Sequence, residues 1–182
     1  MPLIMSCPHT GKKPQIHETA YVAPTAVIIG NVIIGERSNI WFGAVLRGDQ
    51  GLIKIGKNTS IQENVTIHIE EGTSVIIGSN CIIGHHAMIH GPVEIGNGCL
   101  VGIGSNVLHN TKMNDGSMIA AGAVITNKEV PFKQLWAGVP AKFLKNLPEE
   151  EGFIGEKTSG KYAKNGKKYR DFFEMNPNFT NF

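Results

Sequence analysis

Aliphatic side chains recur along this chain every six residues. The series starts at Val22, Ile28, Ile34, Ile40 and Leu46 and resumes at Ile55, Ile61 and Ile67. It then runs unbroken from Ile77 through Ile83, Ile89, Ile95, Val101, Val107, Met113 and Ile119 to Ile125. Two residues before each stands a small or β-branched residue, among them Ala26, Thr59, Cys81, Ala87, Cys99 and Ser117. A spacing of six does not fit a helix; it fits short extended strands in which residues i and i−2 face the same way. Val and Ile favour such strands, and the Gly and Asn residues between them suit tight turns with φ > 0. Equal strands turned at equal intervals stack into a parallel solenoid. Three sixes per coil predict a triangular prism with the large aliphatics inside, an all-β solenoid. The repeat occupies 21–130, after an N-terminal lead-in over 1–20 and before an exit segment, helix and tail over 131–182.

Numbering the faces in order puts Leu46, Ile67, Ile89 and Val107 on the second face, and Ile61 and Ile83 on the first. Nine residues separate Leu46 from Ile55 and ten separate Ile67 from Ile77, so three and four extra residues bulge out at those places. This register gives three histidines a shared meaning. His68 and His90 each follow their aliphatic on the second face, so they stack one coil apart, about 4.8 Å, and point outward. His85 lies around a corner on the first face. A single chain does not bring it to the other two, but two chains side by side do. The spacing predicts a metal shared between subunits, and cyclic packing of prisms predicts a homotrimer with three sites. Three imidazoles leave a tetrahedral ion one open position, the catalytic rather than the structural arrangement. Zn2+ is the expected ion, with Fe2+ or Co2+ also suited to an all-histidine set.

Other residues follow from the same register. Arg47 stands one coil below His68, and with Asp49 it opens the first bulge, as a local ion pair or as a contact to a neighbouring chain. Gln62 and Glu63 lie on the first face, with Glu63 one coil below His85; beneath a metal ligand such a pair reads as supporting or substrate-orienting. Glu70 and Glu71 occupy the second bulge, as plain loop charges or as a proton shuttle. His86 points away from the stack, and His109, higher on the second face, is not expected to bind metal. Trp41 projects outward from the prism, under a subunit or at the surface. His9 and His17 fit no pattern. Cys81 and Cys99 fall at small interior positions and read as core fillers; with Cys7 they form an odd set with no CxxC.

Composition narrows the class further. The 182 residues are a single-domain length, and 22 glycines with 7% aromatics suit a solenoid better than a globular core. No twenty-residue apolar run predicts a membrane span, and MPLIMSCPHTGKK lacks the apolar stretch of a secretory signal; a cytoplasmic, membrane-free protein is expected. A net charge of +2 gives no reason to expect nucleic acid. Pro148 followed by three glutamates predicts a helix start, GFIG predicts its interruption, and Lys161 to Met175 predicts a second helix.

GHHAMIHG, with ENVTIH upstream and VLRGD before that, resembles the γ-class carbonic anhydrases of the hexapeptide-repeat superfamily, over residues 15–145. The resemblance implies a left-handed parallel β-helix, where the general crossover rule would have favoured the right hand. It implies that His68, His85 and His90 bind zinc, with His85 donated by a neighbour, and that the substrate is carbon dioxide or bicarbonate. It makes Arg47 and Asp49 an interface ion pair, Gln62 an active-site glutamine and Glu71 a shuttle glutamate. Glu63 stands where the family usually has Asp. The interruption at GFIG departs from the single long terminal helix of the family. Two other readings share the scaffold: an acyl-CoA-dependent acyltransferase with His86 or His109 as base, and a metal-binding assembly protein with little turnover. AGVPAKFLKNL, an exit segment found in many hexapeptide proteins, does not separate them.

Overall fold

A computed structural model describes residues 2–149 and 153–180. The chain forms a left-handed parallel β-solenoid whose coils pair strand on strand. The pairing reproduces the six-residue register. On the first face Val22, Ile40, Ile61, Ile83, Val101, Ile119 and Trp136 stack in one column. The second face stacks Ile4, Ile28, Leu46, Ile67, Ile89, Val107 and Ile125. The third stacks Ile16, Ile34, Ile55, Ile77, Ile95, Met113 and Val130. From Ile28 to Val130 these side chains are buried, and Trp136 beyond them is partly covered. Each buried aliphatic contributes about 1.5–3 kcal/mol relative to leaving it in water. Strands at Leu3–Met5 and Gln15–Ile16 already pair with the first full coil. A hairpin of Gln134–Gly138 and Ala141–Asn146 ends the stack.

Corners and close approaches are handled by different residues. Positive φ falls three residues after the aliphatic, at Asn58, Asn64, Asn80 and His86 among others. The glycine directly after the aliphatic serves instead to let coils approach. A Cβ on Gly56 would lie 2.5 Å from the carbonyl carbon of Gly78 in the next coil.

The small interior column beside the first face is a ladder of donors. Ser38 Oγ donates to Gly56 O at 2.6 Å, Thr59 Oγ1 to Gly78 O at 2.8 Å, Cys81 Sγ to Gly96 O at 3.0 Å and Cys99 Sγ to Asn114 O at 3.3 Å. Cys81 and Cys99 are therefore more than fillers: each bonds a corner carbonyl of the coil above. All three cysteines are free thiols. The hydrogen bond with Cys99, together with burial, pushes the Cys81 thiol well above its ordinary pKa, so it stays a neutral donor.

Two expectations need correction. The three extra residues after Leu46 do not leave the prism as a loop. Val45–Ile55 is one continuous strand, and the excess is absorbed as a bulge where pairing shifts between Gly30 and Val32. The four extra residues after Ile67 do protrude, carrying Glu70 and Glu71 at the surface.

The second correction concerns the C-terminus. Pro148 and Glu149 are not helical, and the remainder of that predicted first turn, 150–152, lies outside the described residues. GFIG does not interrupt a helix either. Ile154–Met175 is a single helix, α1, of 22 residues. Gly155 lies inside it because only a glycine fits: an added Cβ would meet the carbonyl oxygens of Cys99 at 2.5 Å and Asn80 at 2.7 Å. Gly155, Ser159 and Gly166 are the buried residues of α1, at helical spacing. The helix runs down the first face to the first coil, where Gly166 meets Tyr21 and Asn39, and Arg170 Nη1 donates to Glu18 O at 3.3 Å. It covers Trp41, which points away from the prism interior yet is only 5% exposed. Tyr162 and Tyr169 of α1 lie against the Trp41 ring, and Trp41 Nε1 donates to Asn39 Oδ1 at 2.6 Å. Trp41 is thus buried by its own chain.

Candidate metal centre

His68 and His90 are paired partners on adjacent coils, with ring centroids 5.4 Å apart and planes crossing at 77°. Both follow a fully buried isoleucine, so strand alternation turns them outward. His85 follows Ile83 and Gly84 on the first face, at the start of the corner.

Two of the three rings are held by Nδ1. His68 Nδ1 lies 2.9 Å from Arg47 O. A carbonyl only accepts, so Nδ1 carries the proton and the Nε2 lone pair is free. His85 Nδ1 lies 2.6 Å from Glu63 Oε2. An ionised carboxylate also only accepts, so Nε2 of His85 is again the free donor atom. This is how metal-binding imidazoles are oriented: one nitrogen anchored to a carbonyl or carboxylate, the other presented. Glu63, where a shorter aspartate is usual in the resembling family, reaches His85 within the same chain. Within one chain His68 and His90 stand together on the second face, while His85 lies apart on the first; imidazole is a donor suited to a divalent first-row ion.

Gln62 is 3% exposed, and its Oε1 accepts the backbone N–H of His85 at 3.1 Å. It therefore props the segment that carries His85. Arg47 Nη1 donates to Asp49 Oδ2 at 2.8 Å, an ion pair within one chain. Burial works against the Asp49 charge, but the hydrogen bond and charge of Arg47 outweigh it and hold the carboxyl below the usual range. Asp49 Oδ1 is buried with no hydrogen-bond partner and lies 3.7 Å from His68 Nδ1. Glu71 is exposed on the loop after His68. His86 sits in the left-handed region at its corner, exposed, with Nε2 3.5 Å from Asn64 Nδ2.

His109 lies just beyond the second-face strand, higher than His90 as its register predicts, and its Nδ1 is 4.0 Å from Glu70 Oε1. Ligand atoms of Glu70, His90 and His109 all lie within 4.8 Å of one another. The sequence signal was the second bulge, which takes Glu70 out of the repeat.

Beside His85 on the first face, a groove of about 470 Å3 is lined by Gln62, Leu100, Ile103, Met118, Leu135 and Tyr162, among others. No helix among the described residues is long and apolar enough to cross a membrane.

Known proteins agree with this architecture. A family described as "Bacterial transferase hexapeptide (six repeats)" matches residues 13–48 and 92–127. The chain is 37% identical over 153 residues to "Gamma carbonic anhydrase 1, mitochondrial" of Arabidopsis thaliana, covering 80% of this chain and 55% of the plant protein. It thus spans little more than half the length of that relative. It is 33% identical over 167 residues to a "Carbonic anhydrase" of Geobacillus kaustophilus, covering 91% of each chain. Among solved structures, a hexapeptide transferase family protein from Anaplasma phagocytophilum is 39% identical, with a TM-score of 0.86 over 92% of this chain and 98% of that one. With this solenoid, these outward histidines and near-complete mutual coverage with the Geobacillus protein, the chain belongs to the γ-class carbonic anhydrase-like hexapeptide-repeat proteins.

Proposed function

We propose that the protein is a zinc-dependent carbonic anhydrase that works as a homotrimer. His68 and His90 of one chain and His85 of its neighbour hold the ion, and carbon dioxide and bicarbonate are the substrates. The observation that carries this reading is the anchoring of His68 and His85 through Nδ1, to Arg47 O and Glu63. Imidazoles fixed in that way present Nε2 to a cation without further rearrangement. Zinc bound there supplies a Lewis acid that brings the pKa of its water to about 7 and so provides a nucleophile at neutral pH.

The chain's own residues divide the remaining work. Glu63 fixes the tautomer and direction of His85. Gln62 holds the His85 segment and orients substrate oxygen through its amide. Arg47 and Asp49 hold the His68 side of the site and brace the neighbouring chain. Glu71, free at the surface, takes the proton to solvent. The cytoplasm is the proposed compartment. Metal analysis of the purified protein, sedimentation for trimer mass and a carbon dioxide hydration assay test the reading together. A monomer that retained both zinc and hydration activity would refute the shared site.

The groove beside His85 and the likeness to a hexapeptide transferase support a second reading, an acyltransferase that takes an acyl-CoA along that face. Acetyl-CoA binding by calorimetry separates the two. Binding that survives removal of all metal and is lost in His109→Ala or His86→Ala would favour the transferase.

A further inference from the structure

We infer that each chain carries a second metal-binding set of its own, Glu70, His90 and His109, which takes up a divalent cation before the inter-subunit centre is complete. The ligand atoms of these three residues already lie within 4.8 Å of one another in one chain. Two imidazoles and a carboxylate are a competent set for a first-row divalent ion and leave a position for water. The set is assembled by the fold. His90 and His109 are presented by adjacent coils, and Glu70 stands on the exposed loop after Ile67 with its Oε1 4.0 Å from His109 Nδ1.

The two sets share His90, so they are linked. An isolated chain offers His68 and His90 from the proposed interface centre, with no third histidine. The same chain offers Glu70, His90 and His109 complete. A cation therefore binds first at the intra-chain set, where the Glu70 carboxylate offsets its charge. When a neighbour brings His85, Glu70 and His109 exchange for His68 and that His85, while His90 stays bound throughout. Two ligands leave and two arrive; the Glu70 carboxylate returns to solvent, so the net charge of the ion with its protein ligands rises by one. This loading role rests on the function proposed above; the existence of the second set does not.

The test uses the full chain, stripped of metal, with Co2+ as the probe and visible absorption as the readout. His85→Ala abolishes the interface centre and should still bind about one Co2+ per chain. Adding His109→Ala or Glu70→Gln to that background should weaken cobalt binding at least about tenfold. Adding His68→Ala instead should leave it within about twofold, because His68 is outside the set. Circular dichroism confirms that each variant keeps the solenoid. Failure of His85→Ala to bind cobalt overturns the inference. So does a tenfold loss on adding His68→Ala, which would mean that the His68–His90 pair holds the ion unaided. For loading, His109→Ala alone should take up cobalt several-fold more slowly than the wild-type protein. Uptake at the wild-type rate removes the loading role. A wild-type protein with no hydration activity would end the carbonic anhydrase reading and leave the variant titrations to decide this one.

Discussion

Glu63 Oε2 lies 2.6 Å from His85 Nδ1, one coil below it on the first face. The carboxylate and the imidazole share a position in successive repeats, so the solenoid itself sets their separation. Removing the carboxylate frees the ring to rotate and to change tautomer. Glu63→Ala should therefore lower zinc affinity about 10–100-fold while leaving the fold intact, as read by competition with a chelator. Glu63→Gln, which keeps the length but not the charge, should lose less.

His90→Ala should lose tight zinc and hydration activity together, because the proposed centre has no fourth protein ligand to compensate. His86→Ala should keep both, since His86 is turned outward at its corner. Gln62→Ala should retain zinc but turn over more slowly, having lost the acceptor for the His85 N–H. Metal content per chain and hydration rate on the three variants check this. Zinc bound as well by His90→Ala as by the parent protein would sink the register argument and advance the transferase.

Replacing Arg47 or Asp49 by Ala should weaken assembly, measured as concentration-dependent light scattering; unchanged association would return the pair to a role within one chain. Acid adds a second signature. Asp49 has a lower pKa folded than unfolded. Its contribution to stability is therefore present above the ordinary carboxylate pKa and is lost as pH falls through the lowered value. Metal-free Asp49→Asn should lose less stability than the parent between about pH 5 and pH 2, as followed by urea midpoints.

Cys81→Ser should be nearly neutral, because a hydroxyl replaces the thiol in the ladder to Gly96 O. Cys81→Val fills the space but donates nothing, and should cost about 1–2 kcal/mol through the unpaired carbonyl. Chemical denaturation of both variants distinguishes a donor from a filler. Equal stability of the two would show that volume alone matters there.

Gly166→Leu should lift α1 from the first coil, because a Cβ at that position already stands 3.1 Å from Asn39 Cβ and 3.2 Å from Tyr21 Cβ. Overpacking of this kind costs about 1–3 kcal/mol. Trp41, released from beneath the helix, should shift its fluorescence to the red. An unshifted spectrum with normal stability would mean that the helix adapts by sliding.

The amino-acid sequence alone determined the prism and its register. The reason is physical: a parallel solenoid repeats one local interaction, so a single large aliphatic every six residues specifies strand, turn and stacking partner at once. His68 over His90, and His85 around the corner from them, follow by counting. Contacts that leave the repeat are a different matter, and the tertiary structure decided those. Helix α1 docks through Gly155, Ser159 and Gly166, whose small size permits close approach but carries no hydrophobic signal, so GFIG read as a break and Trp41 as a residue under a subunit or at the surface. Cys81 and Cys99 became hydrogen-bond donors only when the corner carbonyl of the next coil came within reach. Glu70 met His109 because a loop of irregular backbone leaves the repeat, and counting by six does not extend to where its side chains arrive.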